Sequence, residues 1–564
     1  MRRAVIALWT GALVSTLLAI GTGRTLDDYM HAALVEDGHV LTLYDFFGAE
    51  RVAELRHAGP FLAWWADDDL SMRFFRPLSS LLLTVDHRLL DGGGLLSHLH
   101  GLVWYVALLY VVWRVLSETI GAQAARFGTP LYALSSWHAV PLAFTAARHV
   151  HVTAVFALLA LLHFCRAVRQ RRLIQSSGGF TSSLLAALWL TLGLLAGESA
   201  ILAVPLAFGW AAGAGGVHSA FKLGAPMLGV ATLYGIGYAW AGYGTTASGM
   251  YLSPTEVKFY LDLPARWLAL SADLFGGVPN DLTLFGLRPL QVAWGSVAVV
   301  ALAVVLHWVN QTRESRVAPV VGLVWGACVA LIPASGAMPG GRALVIPGVA
   351  AAALFGHDAQ RLVHRPAPET PQRAVHHTMS RPMQTRWIAL WVVVFSIGLH
   401  PVIRLIIPMD FARLGKEVVT WSRELSAKCA GRVVLGLGML EASAVYPPVV
   451  MRAHGLPTVR AMHLLSMSSQ LHELVRLSND VYELTVGGDF FANPWSRVSR
   501  NRPLDAGTVV ELDGLRVSVL QTEPQTRLRF HLHAGTPVCW TTSTPQGPAL
   551  MQVSEQPSSW VPGE

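Results

Sequence analysis

Apolar runs of bilayer-spanning length recur along the 564-residue chain, and they restrict it to folds whose helices face lipid or one another. A spanning helix needs about 20 mostly apolar residues. By that measure about eleven candidates are centred near residues 12, 107, 138, 159, 189, 207, 233, 299, 326, 350 and 397. Composition agrees, with 53% hydrophobic residues, 14% charged and a mean hydropathy of +0.44. That is too apolar for a soluble enzyme of this size. The formal charge of +7 would suggest nucleic acid in a soluble chain, but the basic residues fall mainly in short gaps between apolar runs. They set orientation, and no nucleic-acid partner is implied.

Lys and Arg favour the cytoplasmic side of short loops. Arg2 and Arg3 place the N-terminus inside, and alternation puts Arg114, Arg126, Arg166 to Arg172, Lys222, Arg313, Arg316 and the Arg361 to Arg386 segment inside too. The first segment also resembles a signal peptide, with a basic start and an apolar stretch. The expected architecture is mainly α, a polytopic transmembrane helical bundle of about 11 spans with a small extracytoplasmic C-terminal α+β domain. Residues 1–360 form the membrane part, with long outer loops at 24–96 and 244–288. A cytoplasmic linker follows at 361–386, a last span at 387–408 and the outer domain at 409–564. Within that domain GRVVLGLG, VYELTVGG, TVVELDGLRVSVLQT and TRLRFHLHA read as strands. The expected location is a multi-pass integral membrane protein, in the inner membrane if bacterial.

Four cysteines are too few for a disulfide scaffold, and no CxxC pair or zinc spacing occurs. Cys165 and Cys328 lie in apolar runs. Cys429 and Cys539 fall in the domain assigned to the oxidising side, which makes them a disulfide candidate.

Ionisable residues near span ends collect on the outer side under this topology: Asp27, Asp28, Arg76, His98, His100, Arg148, His149, His151, Glu198 and Arg342. Each has a bland alternative. The aspartates read equally as solvated loop residues, the histidines and Arg148 as interfacial groups, and Arg342 as a headgroup-snorkelling cation. Glu198, between the apolar stretches of LLLAGESAILAV, is the hardest to dismiss. His98 and His100 lie two residues apart, on nearly opposite helix faces, and do not chelate one metal from a regular helix.

A short first span, a long outer loop opening on acidic residues and then many spans with polar residues on one side: this order resembles the GT-C glycosyltransferases. It is most similar to the membrane half of the transmembrane-and-TPR O-mannosyltransferases and their bacterial relatives. The blocks are Leu26-Asp27-Asp28-Tyr29, Phe75-Arg76-Pro77-Leu78, His98, Ala147-Arg148, Ala196-Gly197-Glu198-Ser199 and Gly341-Arg342-Ala343-Leu344-Val345-Ile346-Pro347-Gly348. The similarity covers about residues 1–360. The family's Lys before the carboxylate, its Glu before the late Arg and its TPR repeats are missing. Trp137-His138-Ala139-Val140-Pro141 stands where a His-Pro-Val-His-x-Glu run is expected.

The resemblance implies transfer of a sugar from a polyprenyl-phosphate donor to a protein or glycan acceptor at the outer face of the bilayer. Such transfer needs a base for the acceptor hydroxyl and cations for the departing phosphate. Asp28, with Asp27 as alternate, is then the base. Arg342, Arg148 and Arg76 hold phosphate, and Glu198, His98 and His149 bind or orient substrate. Adjacent carboxylates alone are a poor cage for Mg²⁺ or Mn²⁺, so a metal stays open. Two other classes stay open as well. An inactive membrane scaffold presenting the C-terminal domain fits the missing family residues, whereas a secondary transporter would show inverted repeats and charges at the midplane.

Overall fold

The computed structural model describes residues 2–174, 178–214, 216–311, 317–363, 399–544, 546–553 and 558–562. The chain is mainly helical with a β-rich C-terminal part, and it divides into two compact units. The first comprises 1–23, 75–242 and 257–411; the second comprises 24–74, 243–256 and 412–564.

The helical unit is built from α1 (Arg2–Ile20) and, after the second unit's helices α2 (Leu26–Glu36) and α3 (Val52–Ala58), α4 (Pro77–Leu89) and α5 (Leu95–Thr119). It continues through α6 (Ala122–Leu134), α7 (Ala139–Ala143), α8 (His149–Ile174), α9 (Gly178–Ala196), α10 (Ala203–Gly213) and α11 (Val217–Trp240). Helices α12 (Val257–Leu274), α13 (Arg288–Gln311), α14 (Val317–Ala334), α15 (Gly348–Val363) and the start of α16 (His400–Cys429) complete it. Among the described residues, four helical stretches are long and apolar enough to cross a membrane: Leu95–Thr119, Thr145–Arg171, Gly179–Ala196 and Arg288–His307. Val5–Ile20, Glu198–Gly213 and Ala318–Ala334 are shorter apolar helices. The expected linker at 361–386 and most of the expected last span lie outside the described residues.

Helix α8 is the centre of this unit, with Ala154, Ala157, Leu158, Leu161, Phe164 and Cys165 buried against α5, α9 and α10. Helices α10 and α14 touch backbone to backbone. A Cβ at Gly209 would lie 2.3 Å from the Gly322 carbonyl oxygen, so small residues set their approach. The apolar run centred near residue 138 is not one continuous helix. It breaks into α6, a 3₁₀ turn at Ser136–His138, α7 and a second 3₁₀ turn at Thr145–Arg148. Pro141 supplies the reason: it has no N–H for a helical bond to Trp137, and its ring would clash with that carbonyl.

Among the described residues the second unit holds three sheets. Strands β1 (Asp45–Phe47), β2 (Ser71–Arg73) and β3 (Gly244–Thr246) pair in that order, antiparallel. Then come β4 (Val433–Leu437), α17 (Glu441–Val445), α18 (Pro447–Ala453), β5 (Ala461–Leu464), β6 (His472–Ser478) and β7 (Val481–Val486). They are followed by β8 (Val509–Leu512), β9 (Leu515–Gln521), β10 (Thr526–Leu532), β11 (Val538–Thr544), β12 (Gly547–Met551) and β13 (Ser558–Trp560). One sheet runs β12-β11-β4-β5, with β4 parallel to both neighbours, and the other runs β13-β6-β7-β10-β9-β8, all antiparallel. Leu528 and Phe530 of β10 point inward beside Val517, Leu484 and α16's Leu425, giving the period-two pattern of a half-buried strand. Cys429 and Cys539 are disulfide-bonded, with Cα atoms 6.1 Å apart.

The second unit is more than the C-terminal stretch from residue 409, because part of each long loop belongs to its core. Trp64 and Trp65 are buried, and their indoles donate to the carbonyls of Leu465 (3.1 Å) and Ser496 (2.9 Å). Asp67 pairs with Arg500 at 3.0 Å and accepts from the Asn501 amide at 3.1 Å, while Ser248 donates to the Val498 carbonyl. Two indoles carry a large apolar surface plus an N–H that needs an acceptor, and this core supplies both.

Candidate functional site

Helix α12 buries Phe259, Arg266, Leu270 and Asp273, so its inward face carries two ionisable groups. Arg266, 9% exposed, donates to the carbonyls of Ser335 (3.1 Å) and Ala337 (3.0 Å). Burial, reinforced by nearby Arg288, draws its guanidinium down to about 10, which leaves it charged at neutral pH. A small cavity of about 40 Å³ opens here, lined by Arg266, Arg288, Asn280, Thr283, Ser335 and Met338 among others. Arg288, the first residue of α13, is about one-third exposed and pairs with Asp262 at 3.4 Å.

The cavity wall is braced by carboxylates. Asp273 accepts from the Trp137 indole (2.8 Å) and the Asn280 amide (2.7 Å), and burial pushes its carboxyl up to about 8. Asp281 accepts from the Gly341 amide at 3.1 Å; burial raises it while the Arg342 charge opposes. A side chain at Gly341 would meet Asp281 Oδ2 at 3.0 Å and Trp137 at 3.3 Å, so glycine permits this approach. Arg342, half-buried in the same turn, places Nη2 3.3 Å from Met338 Sδ.

A second cavity lies along the same helices. Trp267, Val299, Leu302, Leu306, Val321 and Trp325 line an apolar groove of about 330 Å³ between α12, α13 and α14. Val299 to Leu306 stand 11 to 18 residues beyond Arg288, roughly 16–27 Å along α13 at 1.5 Å per residue. The arginine-lined cavity and the apolar groove therefore occupy successive stretches of the α13–α14 pair.

The structure brings three of the sequence-derived candidates together elsewhere in this unit. Arg76 donates through Nε to Glu198 Oε2 at 2.8 Å and through Nη1 to His149 Nε2 at 3.0 Å. Because a guanidinium only donates, His149 carries its proton on Nδ1, which faces the Ala146 carbonyl at 3.1 Å. Tyr238 adds a phenol 3.4 Å from Glu198 Oε1. Glu198 thus orients Arg76, and both remain partly exposed, at 25% and 15%.

The other candidates are engaged internally. Arg148, 2% exposed, donates to Asp86 and to the Ser97 carbonyl, and Asp86 also accepts from His100 at 2.7 Å. Arg148, assigned to phosphate from sequence, is held inward here by the buried Asp86 carboxylate. His98 is buried between the carbonyls of Leu142 and Gly23, each 3.3 Å away. In the second unit, Asp28 is 1% exposed and accepts from the Thr25 amide at 3.0 Å, forming the capping box of α2. Asp27 accepts instead from the Tyr446 hydroxyl.

The two carboxylates thus have different partners, Thr25 for Asp28 and Tyr446 for Asp27. Among the described residues no group of three or more His, Cys, Asp or Glu is placed to hold a metal ion. Sequence reading missed the Arg266–Arg288 cavity and the Asp86, Asp273 and Asp281 carboxylates. A signal existed for Arg266: Arg266, Leu270 and Asp273 recur at i, i+4 and i+7, one helix face on which the apolar residue belongs inside.

No protein-family model matches the chain, and no curated protein matches it. Among solved structures it is similar to ArnT from Cupriavidus metallidurans. Bound to undecaprenyl phosphate, that protein gives 12% identity and a TM-score of 0.38 over 93% of this chain and 97% of that one; in the apo state the values are 12%, 0.42, 94% and 98%. It is also similar to the archaeal oligosaccharyltransferase AglB from Archaeoglobus fulgidus in complex with an inhibitory peptide and a dolichol-phosphate. There the identity is 10% and the TM-score 0.40, over 80% of this chain and 64% of that one. With every score under 0.5, the likeness establishes neither substrate nor chemistry for this chain.

Proposed function

We propose that this chain is a membrane glycosyltransferase that takes its sugar from a polyprenyl-phosphate donor at the extracytoplasmic face and passes it to a protein or glycan acceptor. The observation that carries the reading is the succession of an arginine-lined cavity and an apolar groove along α13 and α14. A lipid phosphate asks for both: cationic donors for the head and a dry furrow for the chain.

In this reading the acceptor oxygen attacks the anomeric carbon and the carbon–oxygen bond to phosphate breaks. The electron pair leaves with the phosphate, whose charge Arg266 and Arg288 stabilise, with Arg342, against the cavity-lining Met338, as a further cation. Asp28, the first choice for the base from sequence, is committed to its helix cap. Arg76, Glu198, His149 and Tyr238 form a fixed polar cluster suited to hydroxyl-bearing substrate. One observation favours the inactive scaffold: Arg148 and Asp28 are both satisfied internally.

A photoreactive isoprenyl phosphate tests the reading. Labelling should map by mass spectrometry to the groove residues of α13 and α14 and should fall with Arg266→Ala. Labelling spread over other lipid-facing helices, unaffected by Arg266→Ala, would overturn it.

A further inference from the structure

The polar wall of the arginine-lined cavity has a hydrogen-bond direction built into it. Gln291 is fully buried on α13, and its Nε2 donates to the Pro279 carbonyl at 2.7 Å. That contact fixes the side chain so that Oε1 faces Thr283, whose hydroxyl lies 2.5 Å away. A hydroxyl has one proton, and this short contact to a carbonyl oxygen takes it. Thr283 Oγ1 also lies 3.3 Å from the Asn280 carboxamide, assigned through Oδ1. Two oxygens with no proton between them do not bond. The nitrogen and oxygen of such an amide exchange by a simple flip, so the Asn280 nitrogen is the atom that donates to Thr283.

The rest of that carboxamide then has a defined character. Asn280 is 4% exposed and lines the cavity, and among the described residues its side chain has no partner besides Thr283. It turns an oxygen acceptor and one spare N–H toward the space beside Arg266 and Arg288. An anion does not satisfy that oxygen, since phosphate oxygens repel it. A hydroxyl, donor and acceptor at once, satisfies both atoms.

We propose that Asn280 is a specificity-determining residue that recognises a hydroxyl-bearing head group, a sugar, carried on the phosphate held by Arg266 and Arg288. The inference rests on the reading of that cavity as a lipid-phosphate site. Gln291 and Thr283 are the positioning residues that aim the carboxamide.

The test is titration of the purified full chain in detergent with farnesyl phosphate and with its hexosyl ester. Asn280→Leu should weaken the hexosyl ester by about tenfold or more, because a buried polar pairing is lost, and leave farnesyl phosphate within roughly twofold. Retained binding of the bare phosphate also shows that the cavity is intact. Asn280→Ser, which withdraws the amide without filling the space, should give the same contrast. Equal weakening of both ligands, or none for the hexosyl ester, would overturn the role of Asn280 while leaving the phosphate site standing. Absence of binding of either ligand to the wild-type chain would overturn the cavity reading and this inference with it.

Discussion

At the scale of single residues, two adjacent aspartates separate into different jobs. Asp28 closes a capping box with Thr25, so Asp28→Ala should lower stability by roughly 0.5–2 kcal/mol, measured as a fall in melting temperature. Asp27→Asn should leave stability near wild type, because the amide keeps the shape and an oxygen acceptor for the Tyr446 hydroxyl. A large loss of stability in Asp27→Asn would show that the carboxylate's charge is needed there. The pair was visible in the sequence, but its division of labour was not. A capping carboxylate and one that holds a distant tyrosine look alike until the helix start is placed, and α2 begins one residue before Asp27. Arg266 escaped notice for the opposite reason: an arginine inside an amphipathic segment reads as an interface cation unless its face is compared with Leu270 and Asp273. Arg76 and Glu198, 122 residues apart in sequence, were both singled out, yet only their folding onto one another shows that one orients the other.

At the scale of elements, the second unit carries a pH dependence with a definite sign. Burial holds His463 and His472 neutral, each drawn down to about 4 from an ordinary value of 6.5. Between those values the unfolded chain binds protons that the folded chain does not. The stabilisation is therefore complete above about pH 6.5 and is lost as pH falls toward 4, a few kcal/mol for the pair. The melting temperature should drop from pH 7 to pH 4.5, and a His463→Gln, His472→Gln double variant should drop less; an equal drop would show that other groups cause it. The loop segment around Trp64 and Trp65 behaves as part of the same element. Trp65→Ala should cost about 3–5 kcal/mol, read by chemical denaturation, whereas a surface loop tryptophan would cost little. Alternating strands such as Thr526–Leu532 were legible from period-two patterning. The loop insertion was not, since a Trp-Trp pair in a polar loop gives no clue to which core will take it.

At the scale of the whole molecule, the apolar runs forecast a helix-rich membrane protein, and the number of crossings stays a proposal. The break at Ser136–His138 shows why counting runs is an incomplete guide: a run can be apolar throughout and still fold as short helices and turns. The topology inferred from basic loops places residues 120, 175 and 375 inside and the C-terminal end outside. Reporter fusions at those points should give that pattern, and a cytoplasmic signal at the C-terminal end would contradict it. The central claim is sugar transfer from a lipid phosphate, and the most direct measurement is consumption of lipid-linked sugar by the purified protein across a panel of polyprenyl-phosphate sugars. Wild type should consume at least one donor and release the lipid phosphate, and an Arg266→Ala, Arg288→Ala double variant should lose that activity. Consumption of none of the panel, or undiminished consumption by the double variant, would contradict the account.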